Sequence, residues 1–233
     1  MMMKHKFFSI RKQTLCVFVC VLILSCLIFG TIFAVRQVSL PRAQYTIVLD
    51  AGHGGKDGGA QGQFVDESEL NLKYCLKLKD KLEKFGYKIV LTRKNMEGLY
   101  SPLAPNKKKS EMEKRKKIID KSNADLVISI HMNSFPSSKA RGAQVFYGDS
   151  NESGKFLAES VAQNLNEQIE FAKKTPKVGD YFVLNCTNKA GILIECGFLS
   201  NLDEEKLLID DTYCDKFCYA VLCGIVKYFK FNQ

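Results

Sequence analysis

The chain contains no Cys-x-x-Cys pair, and only three of its 233 residues are histidine. The first absence removes the usual cysteine-rich metal clusters. The nine cysteines are scattered instead. Cys16, Cys20 and Cys26 lie in an apolar N-terminal stretch; Cys75, Cys186, Cys196, Cys214, Cys218 and Cys223 lie downstream. Most read as small buried hydrophobes. Six of them in one exported domain leave disulfides open, with a connectivity that spacing cannot give. The glycine-rich run Gly52 to Gly59 matches neither GxGxxG nor GxxxxGK[ST], and Asp57 inside it would repel a phosphate, so nucleotide binding is not expected. Nor is there an Arg/Lys stripe interleaved with aromatics. The net charge of +9 therefore does not point to nucleic acid, and Lys107 to Lys109 read as a solvated loop. Internal repeats and low-complexity segments are also missing.

What is present fits one domain. Apolar residues make up 46% and charged residues 25%, which is enough to bury a core. The N-terminus is the exception. Residues 1–12 carry Lys4, Lys6, Arg11 and Lys12, and residues 13–35 form an uncharged, mostly apolar run. That length suits a bilayer span, and the preceding positive charge predicts a cytoplasmic tail with the rest outside. No clear Ala-x-Ala cleavage site follows, so an uncleaved anchor is expected, then a linker over residues 36–44.

From residue 45 to 230, strand and helix patterns alternate. Apolar runs predict strands at Tyr45 to Asp50, Lys88 to Thr92, Leu126 to Ile130, Gln144 to Tyr147, Tyr181 to Leu184 and Ile192 to Ile194. Helical spacing links Leu72, Cys75, Leu78, Leu82 and Phe85, with Gly86 placed as a C-terminal stop. Further helices are expected around Ile118 and Ile119, ending near Asn123, and along Leu157 to Ile169 and Phe217 to Tyr228. The order predicts an α/β domain: a mostly parallel twisted sheet flanked by helices, preceded by the transmembrane helix.

Ligand sites in open α/β sheets gather at the carboxyl ends of strands. There the sequence places His53 after the first strand, His131 directly after Ile130, and Glu195 directly after Ile194, with Glu67 opening the first helix. Two histidines and a carboxylate make a catalytic zinc set that leaves a position for water. Zinc would lower the pKa of that water from ~15.7 towards ~7. A base must then move its proton to the leaving group, and Glu195 is the natural candidate.

Several segments together resemble the zinc-dependent N-acetylmuramoyl-L-alanine amidases (the Amidase_3 family). They are Leu49 to Ala60 (LDAGHGGKDGGA), Glu67 to Leu72 (ESELNL), Leu91-Thr92-Arg93, Ala124 to Asn133 (ADLVISIHMN) and Leu193 to Asn201 (LIECGFLSN). The resemblance implies one Zn²⁺ held by His53, Glu67 and His131, with Glu195 as the catalytic carboxylate. Glu67 aligns rather than Glu69, because Asn71-Leu72 fixes the register. Asn133 matches a family Asn that would bind substrate, support the site by a hydrogen bond or serve as a structural turn residue. Arg93 and Arg115 match family positions and are expected in fold-stabilising ion pairs. The chain departs from many members at Asn185, where a basic residue is common, and at Ala190, where proline is. It shows neither wall-binding repeats nor the helical plug of some division amidases. A lone catalytic domain behind one anchor is similar to the germination-specific amidases of spore formers. That implies hydrolysis of the amide bond between N-acetylmuramic acid and L-alanine in peptidoglycan. It also implies a place in muramic δ-lactam formation in spore cortex, outside the cytoplasm, with room for an accessory protein. Hydrolysis of another wall amide, or wall binding without catalysis, are the alternatives.

Overall fold

The computed structural model describes residues 14–26, 45–171 and 173–231. Contacts divide the chain into two units, Met1–Arg42 and Ala43–Gln233. Of the first, residues 14–26 form a helix, α1, whose Leu15, Val17, Phe18, Val21 and Leu22 are exposed. Among the described residues no helix is long and apolar enough to cross a membrane. The anchor expected over residues 13–35 lies partly outside the described residues.

The second unit is a six-stranded mixed sheet in the order β2-β1-β3-β6-β4-β5, between two layers of helices. In chain order its elements are β1 (Thr46–Ala51), α2 (Glu67–Lys84), β2 (Lys88–Leu91), α3 (Lys107–Ser122), β3 (Leu126–Asn133), β4 (Gln144–Tyr147), α4 (Glu152–Gln168), β5 (Lys177–Val178), α5 (Phe182–Asn185), β6 (Ala190–Phe198), α6 (Leu202–Ile209) and α7 (Asp211–Phe231). Strands β2, β1, β3 and β6 are mutually parallel, whereas β4 runs antiparallel to β6.

Alternation along the strands sorts the core into two faces. Leu49, Ile128 and Ile192 stand in register and join Leu70, Tyr74 and Leu78 of α2, Leu157 and Val161 of α4, and Phe217 and Val221 of α7. On the other face Val48, Val127 and Leu193 meet Ile119 of α3 and Val183 and Leu184 of α5. Five of the six expected strands form. The sixth, at Tyr181 to Leu184, is instead the short helix α5. A brief apolar run fits either period, and here Val183 and Leu184 are buried beneath α3 rather than paired in a ladder. Lys107 to Lys109, expected in a loop, form the first turn of α3, because the Asn106 side chain accepts a hydrogen bond from Lys109 N (2.9 Å) and caps the helix. Asn123 ends that helix in the left-handed conformation (φ 50°), and Gly86 (φ 89°) follows the C-cap of α2.

Candidate metal centre

The chain turns back between β1 and β3: it leaves β1 for β2 on one side and returns to β3 on the other. Such a switch point opens a crevice at the strands' carboxyl ends. His53 lies in the loop after β1, and His131 lies in β3. Glu67 is the first residue of α2, where the helix dipole favours a carboxylate. The three bring one ligand atom each to within 4.8 Å of one another. Glu67 Oε1 is 2.8 Å from His131 Nδ1 and 3.3 Å from His53 Nε2. The imidazoles meet edge to face, with centroids 5.1 Å apart. Glu69 is exposed and stands apart from this cluster.

Each of these side chains is held. Glu67 Oε2 accepts from Ala60 N (2.8 Å), and Oε1 accepts from Met132 N (3.2 Å) and Asn71 Nδ2 (3.1 Å). Asn71 lies one helical turn after Glu67 and also donates to Gly52 O (3.1 Å). His53 Nδ1 is 3.0 Å from Asp57 Oδ2, which leaves Nε2 directed at the site. His53 itself has φ 58°, a left-handed backbone that side-chained residues rarely take. Two glycines clear the space. A Cβ on Gly52 would lie 2.3 Å from His131 Cε1, and one on Gly59 (φ +71°) would lie 2.5 Å from Glu67 Oε2. Behind them Asp50, Arg115 and Glu111 form a buried ion-pair network, and Ser129 and Thr92 also donate to Asp50. Arg115 Nη2 additionally donates to His53 O (2.9 Å). Arg93, expected in an ion pair, instead donates to the backbone carbonyls of Ala51, Gly52, Ser68 and Asn95. It braces the loop that carries His53 against the first turn of α2, which carries Glu67.

Glu195 is directly opposite His131 in the β3–β6 register. Both residues were expected just past their strands. The strands run on through them to Asn133 and Phe198, with a register shift after His131. Glu195 Oε2 is buried without a hydrogen-bond partner. Burial pushes its carboxyl up to about 7; Glu67's charge adds to this, and the two histidines partly offset it. Burial would raise Glu67 as well, but hydrogen bonds and charge from His131 and His53 hold it well below the usual carboxylate range. His53 is raised, since Glu67 and Asp57 together outweigh its desolvation. The two neighbouring carboxylates are thus pushed in opposite directions. Asn133 is half-buried at the end of β3, with its side-chain oxygen accepting from Ser134 N (2.8 Å).

The donor set fits a divalent metal: two imidazoles and one carboxylate held below its usual range, with Glu67 oriented by Ala60, Asn71 and Met132 and His53 by Asp57. A cleft of ≈ 230 Å³ adjoins it, lined among others by His53, His131, Lys108, Tyr181 and Phe182. Motif reading missed Asp57 and Asn71 as supports. The spacing of Asn71 four residues after Glu67 on a helix was the available signal.

Similarity to known proteins is extensive. The chain is 37% identical over 202 residues to the germination-specific N-acetylmuramoyl-L-alanine amidase of Bacillus subtilis (strain 168), covering 82% of each. Its structure is similar to that of the Clostridioides difficile CwlD amidase solved in complex with the GerS lipoprotein, with a TM-score of 0.78 and 38% identity over 81% of this chain and 100% of that one. The catalytic domain of CwlV, an N-acetylmuramoyl-L-alanine amidase of Bacillus (Paenibacillus) polymyxa var. colistinus, superposes with a TM-score of 0.72 at 28% identity, covering 80% of this chain and 99% of that one. The N-acetylmuramoyl-L-alanine amidase family, Amidase_3, matches residues 47–227, and the chain belongs to it.

Proposed function

We propose that this amidase works with one Zn²⁺ held by His53, Glu67 and His131, and that Glu195 is its proton-transfer residue. The observation that carries this reading is the single oxygen, Glu67 Oε1, reached by both imidazoles beside the unpartnered Glu195 Oε2. Bound zinc supplies a water of lowered pKa and polarises an amide carbonyl. Glu195, raised to about 7, is poised to accept a proton at neutral pH and to return it to the departing L-alanine nitrogen. Glu67, kept ionised, has no such proton to give. Asn133, two residues after His131 at the end of β3 and paired with Phe198 of β6, is the proposed substrate-binding residue, and the cleft bordered by Tyr181 and Phe182 would hold the stem peptide.

The substrate is peptidoglycan, cut between N-acetylmuramic acid and L-alanine. The germination-specific relative supports a role in spore cortex, where stem-peptide removal precedes muramic δ-lactam. The GerS complex of the similar CwlD supports an accessory protein here. The exposed apolar side chains of α1 and the length of the 13–35 run support a membrane anchor, with the catalytic unit outside the cytoplasm. Digestion of peptidoglycan tests the activity. New L-alanine N-termini without exposed glucosamine support it, whereas free glucosamine or an internal peptide cut would contradict it. Glu195→Gln should abolish release while zinc stays bound; surviving hydrolysis refutes the assignment of the base. Cortex muropeptides with normal δ-lactam after gene deletion would reject the spore role.

A further inference from the structure

At the opposite end of the sheet from the metal centre lies a second concavity. Strand β2 is an edge strand, and α3 packs on β1 and α5. The α3 side of β2 is left with Lys88 exposed and Val90 half-buried. Between this strand and α3 runs a groove of ≈ 420 Å³. Its floor is Val90 and Ile118, and its walls carry Lys88, Lys114, Lys117 and Lys121. The three helix lysines are spaced i, i+3 and i+7, which puts them on one stripe. All four are exposed, and none is ion-paired among the described residues. The neighbouring acids are already engaged, Asp120 with Lys116 (2.9 Å) and Glu113 with Lys109 (4.0 Å). Four unpaired lysines lining one groove make a basic patch complementary to an anionic surface.

The groove's place along the chain names that surface. Lys88 pairs in register with Thr46, the first residue of β1, and Lys88 N donates to Tyr45 O (3.1 Å). The last turn of α3 reaches the same end, where Asp125 Oδ2 accepts from Thr46 N (2.7 Å). Lys88 and Lys121, the latter in the last turn of α3, thus lie at the end of the catalytic unit where Tyr45 and Thr46 begin it. Residues 36–44 can span at most about 30 Å between the apolar N-terminal segment and β1. We propose that Lys88, Lys114, Lys117 and Lys121 form a docking surface for anionic phospholipid headgroups. It would hold the N-terminal end of the sheet against the membrane and turn the metal-site end away from it. Lysines over an apolar floor suit the headgroup boundary: charge meets phosphate while Val90 and Ile118 meet the interface. The proposal rests on the anchoring reading of residues 13–35.

The test uses the full chain reconstituted in vesicles of phosphatidylcholine alone and of phosphatidylcholine with phosphatidylglycerol. A water-soluble acetylating reagent is applied, and each lysine is read by mass spectrometry. Slowing of about five-fold is expected at Lys88, Lys114, Lys117 and Lys121 in the anionic vesicles only, equivalent to about 1 kcal/mol per lysine. The exposed Lys56, in the loop after β1 at the metal-site end, serves as the control and should not change. In the triple variant Lys114→Gln, Lys117→Gln, Lys121→Gln, protection of Lys88 should vanish, while a thermal melt verifies folding. Equal acetylation in both lipids, or protection of Lys88 that survives the triple substitution, overturns the proposal. Protection by soluble polyphosphate without protection by anionic vesicles overturns it as well. Failure of the chain to associate with pure phosphatidylcholine vesicles overturns the anchor alone. In that case capture by the anionic vesicles, lost in the triple variant, still supports the groove.

Discussion

Replacing Glu195 by glutamine removes a carboxylate that the fold holds where ionisation is costly. Its pKa stands at about 7 against an ordinary 4.5, with burial as the first cause and Glu67's charge adding to it. A carboxyl raised on folding binds its proton more tightly in the native state than in the unfolded one. Below about pH 4.5 both states are protonated and the group is neutral towards stability. Between about pH 4.5 and 7 the unfolded chain ionises first and stability falls. Above about pH 7 the full penalty, about 3 kcal/mol at 1.4 kcal/mol per pKa unit, is in place. Glutamine mimics the protonated form and escapes that penalty. In the chelated, metal-free protein, Glu195→Gln should therefore melt higher than wild type at about pH 8, by roughly 6–10 °C for a domain of this size. The gap should close towards about pH 4.5. Calorimetry at both pH values reads this directly. A gap of the same size at both, or a wild type that is the more stable at high pH, would refute the reasoning that Glu195 is buried against its own charge.

Other consequences follow from the supports around the site. Arg115→Met strands Asp50 and Glu111 in the core, so it should cost about 3–5 kcal/mol in urea unfolding; a loss under about 1 kcal/mol would contradict the network. Asp50 tends upward through burial but is held below its usual range by Arg115, Ser129 and Thr92. Its stabilising share is thus whole above the unfolded carboxyl's pKa of about 4 and is lost as the pH falls through its lower folded value, a dependence that Asp50→Asn should erase in acid unfolding curves. Asp57→Asn should weaken zinc binding about 10–100-fold by releasing His53 Nδ1, as measured by chelator competition; unchanged affinity removes Asp57 from the support. Gly59→Ala combines a left-handed backbone with a Cβ driven onto Glu67 and His53, so it should lower metal content more than global stability, and intact zinc occupancy would show that the loop yields freely.

Much of this site was legible because its residues are chemically scarce. With three histidines in the chain, His53 and His131 stood out, and both meet Glu67. Glu195 was expected just past its strand, and that boundary was wrong. Cys196, Gly197 and Phe198 carry no clear alternation, so the pattern ended at Ile194 while the ladder with β3 continued. Strand β5 is two exposed residues, and no hydrophobic signal marks it. Helix α6 was unrecognised despite its signature: Asn201 caps it, and Asp203, Glu204 and Glu205 fill its first turn. Its buried acids turn out to organise distant loops. Glu204 accepts from Gly142 N and Phe198 N, and Glu205 from Phe64 N, in the segment leading to Glu67. Partnerships over more than 60 residues of chain leave no trace in local periodicity. The same holds for Arg93, which serves carbonyls rather than a carboxylate.

The most direct measurement is metal content with X-ray absorption on the purified chain, wild type beside His131→Ala. One zinc per chain, bound by nitrogen and oxygen and lost in the variant, is the predicted result. A variant that holds zinc in the same amount and coordination as wild type would contradict the shared His53, Glu67 and His131 centre.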